Sequence, residues 1–194
     1  MSGVDISRAP SPHSLRNRAG RVLWGLVQGT LFRLSPRPCH RWRVMLLRMF
    51  GGRVSWRARP YPGCRVWAPW NLEMADYATL ADGVDCYCVE RISIGAHTTV
   101  SQYSYLCGAT HDFERSRRPL VPLPIRIGGQ CWIAADVFVG PGVSIGEGTV
   151  VGARSSVFGD LPEWMVCVGS PAKPIRARVI REEGDGGVEG GEGR

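Results

Sequence analysis

From Ile127 the chain reads IGGQCW-IAADVF-VGPGVS-IGEGTV-VGARSS-VF, ending at Phe158. An aliphatic residue returns every sixth position without a slip, at Ile127, Ile133, Val139, Ile145, Val151 and Val157. Gly or Ala follows each of them except the last, and a small or branched residue (Cys131, Val137, Val143, Thr149, Ser155) stands four places on. Neither a helix of period 3.6 nor an alternating strand produces this rhythm. A fixed period is the signature of a repeat architecture. Six residues supply one short extended segment and a corner, three segments close a triangular coil, and stacked coils bury continuous aliphatic columns.

Working upstream, similar units stand at Met74-Ala75 and Leu80-Ala81, with a poorer one at Cys86. A slip of two residues leads to Ile94-Gly95, Val100-Ser101 and Leu106-Cys107. Phase is then lost over 108–124 and regained at Ile127. An interruption inside a solenoid leaves as a loop, and such loops carry function. This one holds His111. Arg53 to Pro69, with Pro60, Pro62, Gly63 and Pro69, reads as irregular, which starts the solenoid near Trp70. Downstream, Val166–Val168 reads as a short strand, and residues 181–194 as a disordered acidic, Gly-rich tail.

The front of the chain differs in composition. Thirteen arginines fall between Arg8 and Arg65, no acidic residue stands between Asp5 and Glu73, and the whole chain carries a formal charge of +7. Residues 1–20 read as disordered, and 21–69 as a helical and irregular extension. Helical spacing is visible over Arg21–Leu34 and again over Arg41–Phe50, where Gly51-Gly52 offers a stop. Neither segment is long enough to span a bilayer. With Trp, Phe, Leu and arginine together, residues 21–59 suit either an anionic membrane surface or packing on the solenoid. No nucleic-acid motif accompanies the charge, so nucleic acid is not an expected partner. Seven scattered cysteines without zinc-finger or thioredoxin spacing suggest reduced thiols and a cytoplasmic setting.

The repeat resembles the hexapeptide-repeat acyltransferases. The His111 segment (Leu106-Cys107-Gly108-Ala109-Thr110-His111-Asp112), Pro69-Trp70-Asn71-Leu72 and Gly169-Ser170-Pro171-Ala172-Lys173-Pro174-Ile175 bring the resemblance closest to the colanic acid biosynthesis acetyltransferases, over roughly residues 22–178. That resemblance implies an all-β, left-handed parallel β-helix over 70–180 with a short α-helical extension in front. It also implies a homotrimer whose subunit grooves take acetyl-CoA, and no metal. Trp132 matches the aromatic residue beside the pantetheine arm, Ala135 and Ala153 the small residues lining the groove, and Lys173 and Arg176 the basic residues reaching the nucleotide phosphates. Phe158-Gly159 departs from the small polar or basic residues common in relatives.

Acetyl transfer to a hydroxyl needs a base near neutrality, which suits a histidine; His111 is the candidate. Asp85, Tyr87 and Cys88, on the coil before it, are the candidates for holding the acceptor, although relatives often carry Asn near Cys88. The expected activity is O-acetylation of an exopolysaccharide or glycolipid precursor at the inner face of the membrane. Competing readings are a non-catalytic repeat scaffold, a different acyl group, or an amine acceptor. With only His97 and His111 in the solenoid, a three-histidine zinc site is not expected.

Overall fold

The computed structural model describes Val4, Ser7 and residues 13–181. Its body is a left-handed, three-sided parallel β-helix, with the triangular coil that the repeat predicts and the hand that the resemblance implies. The first coil holds β1 (Arg53–Val54), β2 (Arg59–Pro60) and β3 (Arg65–Val66). The second holds β4 (Leu72–Met74), β5 (Thr79–Leu80) and β6 (Asp85–Tyr87), and the third β7 (Ile92–Ile94), β8 (Thr99–Val100) and β9 (Tyr105–Cys107). A hairpin of β10 (Ala109–His111) and β11 (Leu120–Pro122) then leaves the prism. The fourth coil is β12 (Ile125–Ile127), β13 (Trp132–Ile133) and β14 (Phe138–Val139), and the fifth β15 (Ser144–Ile145), β16 (Val150–Val151) and β17 (Ser156–Val157). After a bridge at Leu161, β18 (Met165–Gly169) extends the second face and β19 (Ala172–Ala177) folds back on it antiparallel. The three faces are β1-β4-β7-β12-β15, β2-β5-β8-β13-β16-β18-β19 and β3-β6-β9-β14-β17.

Inside, each face contributes one buried column. The first runs Val54, Met74, Ile94, Ile127 and Ile145; the second Leu80, Val100, Ile133, Val151 and Cys167; the third Val66, Cys86, Leu106, Val139 and Val157. The small residues between them are buried too, and their hydroxyls bond neighbouring carbonyls: Thr98 donates to Gly128 at 2.6 Å and Ser104 to Ala134 at 2.9 Å. The glycines at the first corner are forced. A Cβ on Gly95 would lie 2.4 Å from the Gly129 nitrogen, and one on Gly146 2.4 Å from that of Glu163.

Two boundaries differ from the sequence reading. The prism starts at Arg53, not near Trp70, because Arg53 and Val54 pair with Glu73 and Met74, and Arg65 and Val66 with Asp85 and Cys86. The prolines of 53–69 sit at corners and at an edge position, where a ladder hydrogen bond is dispensable. The slip of two residues also has a cause: Val54, Met74 and Ile94 stand twenty apart while Ile127 and Ile145 stand eighteen apart, the early coils carrying two additional residues at the third corner.

In front, α1 (Leu15–Val27) begins inside the stretch read as disordered, capped by Ser14, whose hydroxyl accepts from the Asn17 N–H at 3.2 Å. A π-turn over Gln28–Phe32 follows, then α2 (His40–Met49). These helices close the open end of the first coil. Main-chain N–H groups bond carbonyls of the neighbouring coils in both directions, as in Arg59 to Ala78 of the next coil at 2.8 Å and Arg154 to Ala135 of the preceding one at 3.0 Å. The first coil has no strand before it, so buried carbonyls on its open edge must find other donors. Arg48 donates to Val54 at 2.7 Å, Arg43 to Pro60 at 2.7 Å, the Trp24 indole to Val66 at 2.6 Å and Gln28 to Cys64 at 3.3 Å. All three faces are capped by side chains. Part of the arginine excess is thus the chemistry of a carbonyl edge. The residues of 1–12 other than Val4 and Ser7, and 182–194, lie outside the described residues, including most of the predicted acidic tail.

Candidate active site

The His111 hairpin leaves the prism between the third face (β9) and the first (β12). Gly108 permits the exit: its N–H donates to the Tyr87 carbonyl at 3.0 Å, and a Cβ there would meet that oxygen at 2.7 Å. His111 pairs with Leu120 across the hairpin and is exposed. Its Nδ1 lies 2.8 Å from the main-chain carbonyl of Arg118. A carbonyl only accepts, so Nδ1 carries the proton and Nε2 is left with a free lone pair. The tip is braced from within. The Asp112 N–H donates to the Pro119 carbonyl at 3.0 Å, the Asp112 carboxylate pairs with Arg115 at 3.0 Å, and Arg118 takes a positive φ of 43° with its N–H on the Arg115 carbonyl. The group that orients the imidazole is a peptide oxygen, which no side-chain pattern in the sequence marks.

Beside the hairpin, the outside of the third face carries a continuous aromatic row. Trp67 meets Tyr87 at 5.4 Å between ring centroids, Tyr87 meets Tyr105 at 6.2 Å, Tyr105 meets Phe138 at 5.7 Å and Phe138 meets Phe158 at 5.6 Å. The Arg21 guanidinium of α1 lies 4.4 Å over the Trp67 ring. Burial pushes the Tyr87 and Tyr105 phenols above their ordinary value, so both stay protonated donors. Asp85 lies on the same face, one carboxylate oxygen held by Arg65 at 3.2 Å and the other buried without a hydrogen-bond partner among the described residues. Tyr87 is thus brought to the base of the His111 hairpin, and Asp85 lies two residues before it on the same face, in register with Tyr105. Cys88 is not: it is fully buried, its thiol donating to the Ala68 carbonyl at 3.2 Å and accepting from the Ala68 N–H. The sequence reading of Cys88 as an acceptor contact is corrected, because the long third corner turns that side chain inward. Trp67, Tyr105 and Arg21 were missed, although Trp67, just after β3, and Tyr105, on β9, flank Tyr87 of β6 on the same face.

The residues matched to the donor gather elsewhere. Trp132 stands on the second face, half exposed, its indole donating to Ser101 at 3.0 Å. Register aligns it with Val150, Val150 with Val166, and Val166 with Arg176. At ordinary strand spacing that row spans roughly 14 Å. Ala135 and Ala153 occupy successive levels of the corner between the second and third faces, linked by the Arg154 N–H on the Ala135 carbonyl at 3.0 Å. Lys173 and Arg176 are exposed on β19, and among the described residues no carboxylate pairs with either. An exposed indole, small corner residues and two free cations fit an extended ligand with an anionic end. Within one chain, however, this face lies opposite the corner that carries His111. His97 stacks on Tyr77 at 4.9 Å, and among the described residues no three His, Cys, Asp or Glu side chains group as for a metal.

Comparison with known proteins gives the family and the fold. Residues 124–159 match the family described as bacterial transferase hexapeptide (six repeats). The chain is 49% identical over 180 residues, 92% of its length and 99% of the other, to an Escherichia coli protein bearing the provisional name colanic acid biosynthesis acetyltransferase WcaF. It is 31% identical over 131 residues to the galactoside O-acetyltransferase of the same organism, covering 68% of this chain and 58% of that one. Among solved structures, a hexapeptide-repeat acetyltransferase of Vibrio cholerae, complexed with acetyl coenzyme A, superposes with a TM-score of 0.77 at 24% identity over 88% of this chain and 93% of that one.

Proposed function

Because this chain belongs to the hexapeptide-repeat acetyltransferases, alongside the colanic acid biosynthesis relatives, we propose that it moves acetyl from acetyl-CoA to a hydroxyl of a sugar in an exopolysaccharide or glycolipid precursor. The observation that carries this reading is the clamp of His111 Nδ1 on the Arg118 carbonyl, which leaves Nε2 exposed as a base. His111 takes the proton of the acceptor hydroxyl as its oxygen attacks the thioester carbonyl. The Arg118 oxygen then accepts a hydrogen bond from the imidazolium, and the proton passes to the departing CoA thiolate. Main-chain N–H groups of the coil are the candidate donors to the tetrahedral oxyanion.

Lys173 and Arg176 suit the phosphates of the donor, since charge-assisted bonds to phosphate are the strong ones. Trp132, Ala135 and Ala153 suit its thioester arm. The aromatic row with Asp85, Tyr87 and Arg21 suits a sugar ring, whose apolar face packs on aromatics while its hydroxyls take polar partners. Since the donor face and the His111 corner lie on opposite sides of one prism, we infer a homotrimer in which His111 of one subunit meets the donor face of the next. The colanic acid name of the relative supports a polysaccharide precursor as the acceptor; its presentation at the inner face of the cytoplasmic membrane is part of the same proposal.

The test is acetyl-CoA turnover by free-thiol release, with a panel of free and lipid-linked sugars, for wild type and His111→Ala. The expected loss is at least ~100-fold, the ordinary contribution of a positioned base. Equal rates would remove His111 from the mechanism. No turnover together with no CoA binding would favour the scaffold reading.

A further inference from the structure

Helix α1 is apolar on two sides. Its inner side, with Gly20, Trp24 and Val27, packs on the first coil and Trp70. The outer side is a second stripe that none of the described residues covers: Leu15 is 80% exposed, Val22 68%, Leu23 56% and Leu26 65%. At about 100° per residue these four, with Ala19, fall within an arc of about 100°. Arg16 and Arg18 fall on its two edges and are exposed. The π-turn swings Phe32 into the core and leaves Leu31 and Leu34 outside. There they share an open groove of about 470 Å³ with Trp42 of α2, whose indole donates to the Leu31 carbonyl at 2.9 Å. Met49, 71% exposed, extends the apolar surface along α2, with Arg41 and Arg48 near it.

Stable apolar stripes left open to water on a folded domain mark an interaction surface. Its charge names the partner. Among the described residues Arg16, Arg18, Arg33 and Arg41 have no carboxylate partner, and no acidic residue occurs anywhere between Asp5 and Glu73. A leucine-rich stripe edged by arginines, with a tryptophan at its rim, suits the headgroup boundary of an anionic bilayer. No helix of the described residues is long and apolar enough to cross a membrane. We propose that the outer faces of α1, the π-turn and α2 seat this protein on an anionic lipid surface, the leucines entering the acyl boundary and the arginines meeting lipid phosphates. The arginines of this layer are then divided in labour: Arg43 and Arg48 cap carbonyls of the first coil, and Arg16, Arg18, Arg33 and Arg41 face lipid.

The experiment is co-sedimentation of the full chain with vesicles of phosphatidylcholine alone or mixed with phosphatidylglycerol, at low and high salt. It contains neither acetyl donor nor sugar, so its outcome is independent of the catalytic reading. Binding is expected only to the anionic vesicles, weakening as salt screens the arginines. Val22→Glu/Leu26→Glu is expected to weaken it about 10-fold or more by removing apolar insertion, and Arg18→Gln/Arg33→Gln/Arg41→Gln to remove the preference for anionic lipid. All these side chains are exposed, so the variants keep the fold. Absence of binding, or equal binding to both vesicle types, would overturn the proposal. A fall in assembly size by light scattering for Val22→Glu/Leu26→Glu without lipid would overturn it too, by showing that a second copy covers the stripe.

Discussion

Replacing Arg43 by methionine tests the account of the capped coil. Arg43 is fully buried on α2 and burial lowers its pKa. Its guanidinium donates to Pro60 O at 2.7 Å, Ser35 Oγ at 2.8 Å, Pro36 O at 2.9 Å and Arg37 O at 2.5 Å, and lies 3.2 Å from His40 Nδ1. Methionine keeps the apolar stem and removes every donor. A hydrogen bond to a charged group contributes about 1.5–3 kcal/mol net, and a buried acceptor left alone costs about 1–3 kcal/mol. Pro36 and Arg37 lie on an exposed segment, where water replaces the lost donor, and His40 Nδ1, 3.1 Å from the Pro60 oxygen, recovers part of that bond. Relief of the guanidinium's own desolvation offsets more. The remainder is a loss of about 3 kcal/mol. Denaturant unfolding at fixed protein concentration measures it. Arg41→Met, exposed on the same helix, should stay within about 0.5 kcal/mol. A loss below about 1 kcal/mol for Arg43→Met would refute the view that the carbonyl edge depends on this donor.

Two further outcomes follow from the same geometry. Gly146→Ala places a Cβ 2.4 Å from the Glu163 nitrogen and should cost about 2 kcal/mol or more, whereas Gly159→Ala meets nothing within 4 Å and should be neutral or slightly stabilising; equal unfolding midpoints would contradict the tight corner. Burial first, then Arg43 and Arg59, holds His40 below the ordinary imidazole value of 6.5. The native state thus binds that proton less readily than the unfolded chain, so the stability is present above about 6.5 and is lost as pH falls through the depressed folded value. Unfolding midpoints between about pH 7.5 and 5.5 should fall on acidification, and less steeply in His40→Gln; parallel profiles would remove His40 as the cause.

The sequence made the later coils legible because Ile127 to Val157 repeat a single chemical requirement, an aliphatic wedge every six residues. It concealed the first coil for an equally physical reason. There an inward position is held by Pro60, and the longer third corner breaks the phase before it can be counted. The candidate base could be named from the sequence, since His111 stands where the period fails. The oxygen that orients it could not, because Arg118 acts through its backbone. Cys88 was misplaced by the same corner that hid the register. Arg43 and Arg48 read as surplus charge until the carbonyls beneath them were seen.

That carbonyl edge bears on how such a chain changes length. A stack of like units grows most simply by copying a unit at either end. Here the front end is closed by Trp24, Gln28, Arg43 and Arg48, each aimed at one oxygen of one coil. A coil added there would push its own backbone into places those four side chains already fill. New material is admitted instead at a corner between coils, and the His111 hairpin is such an admission. The end piece acts as a stop on a ruler, and novelty enters between the graduations.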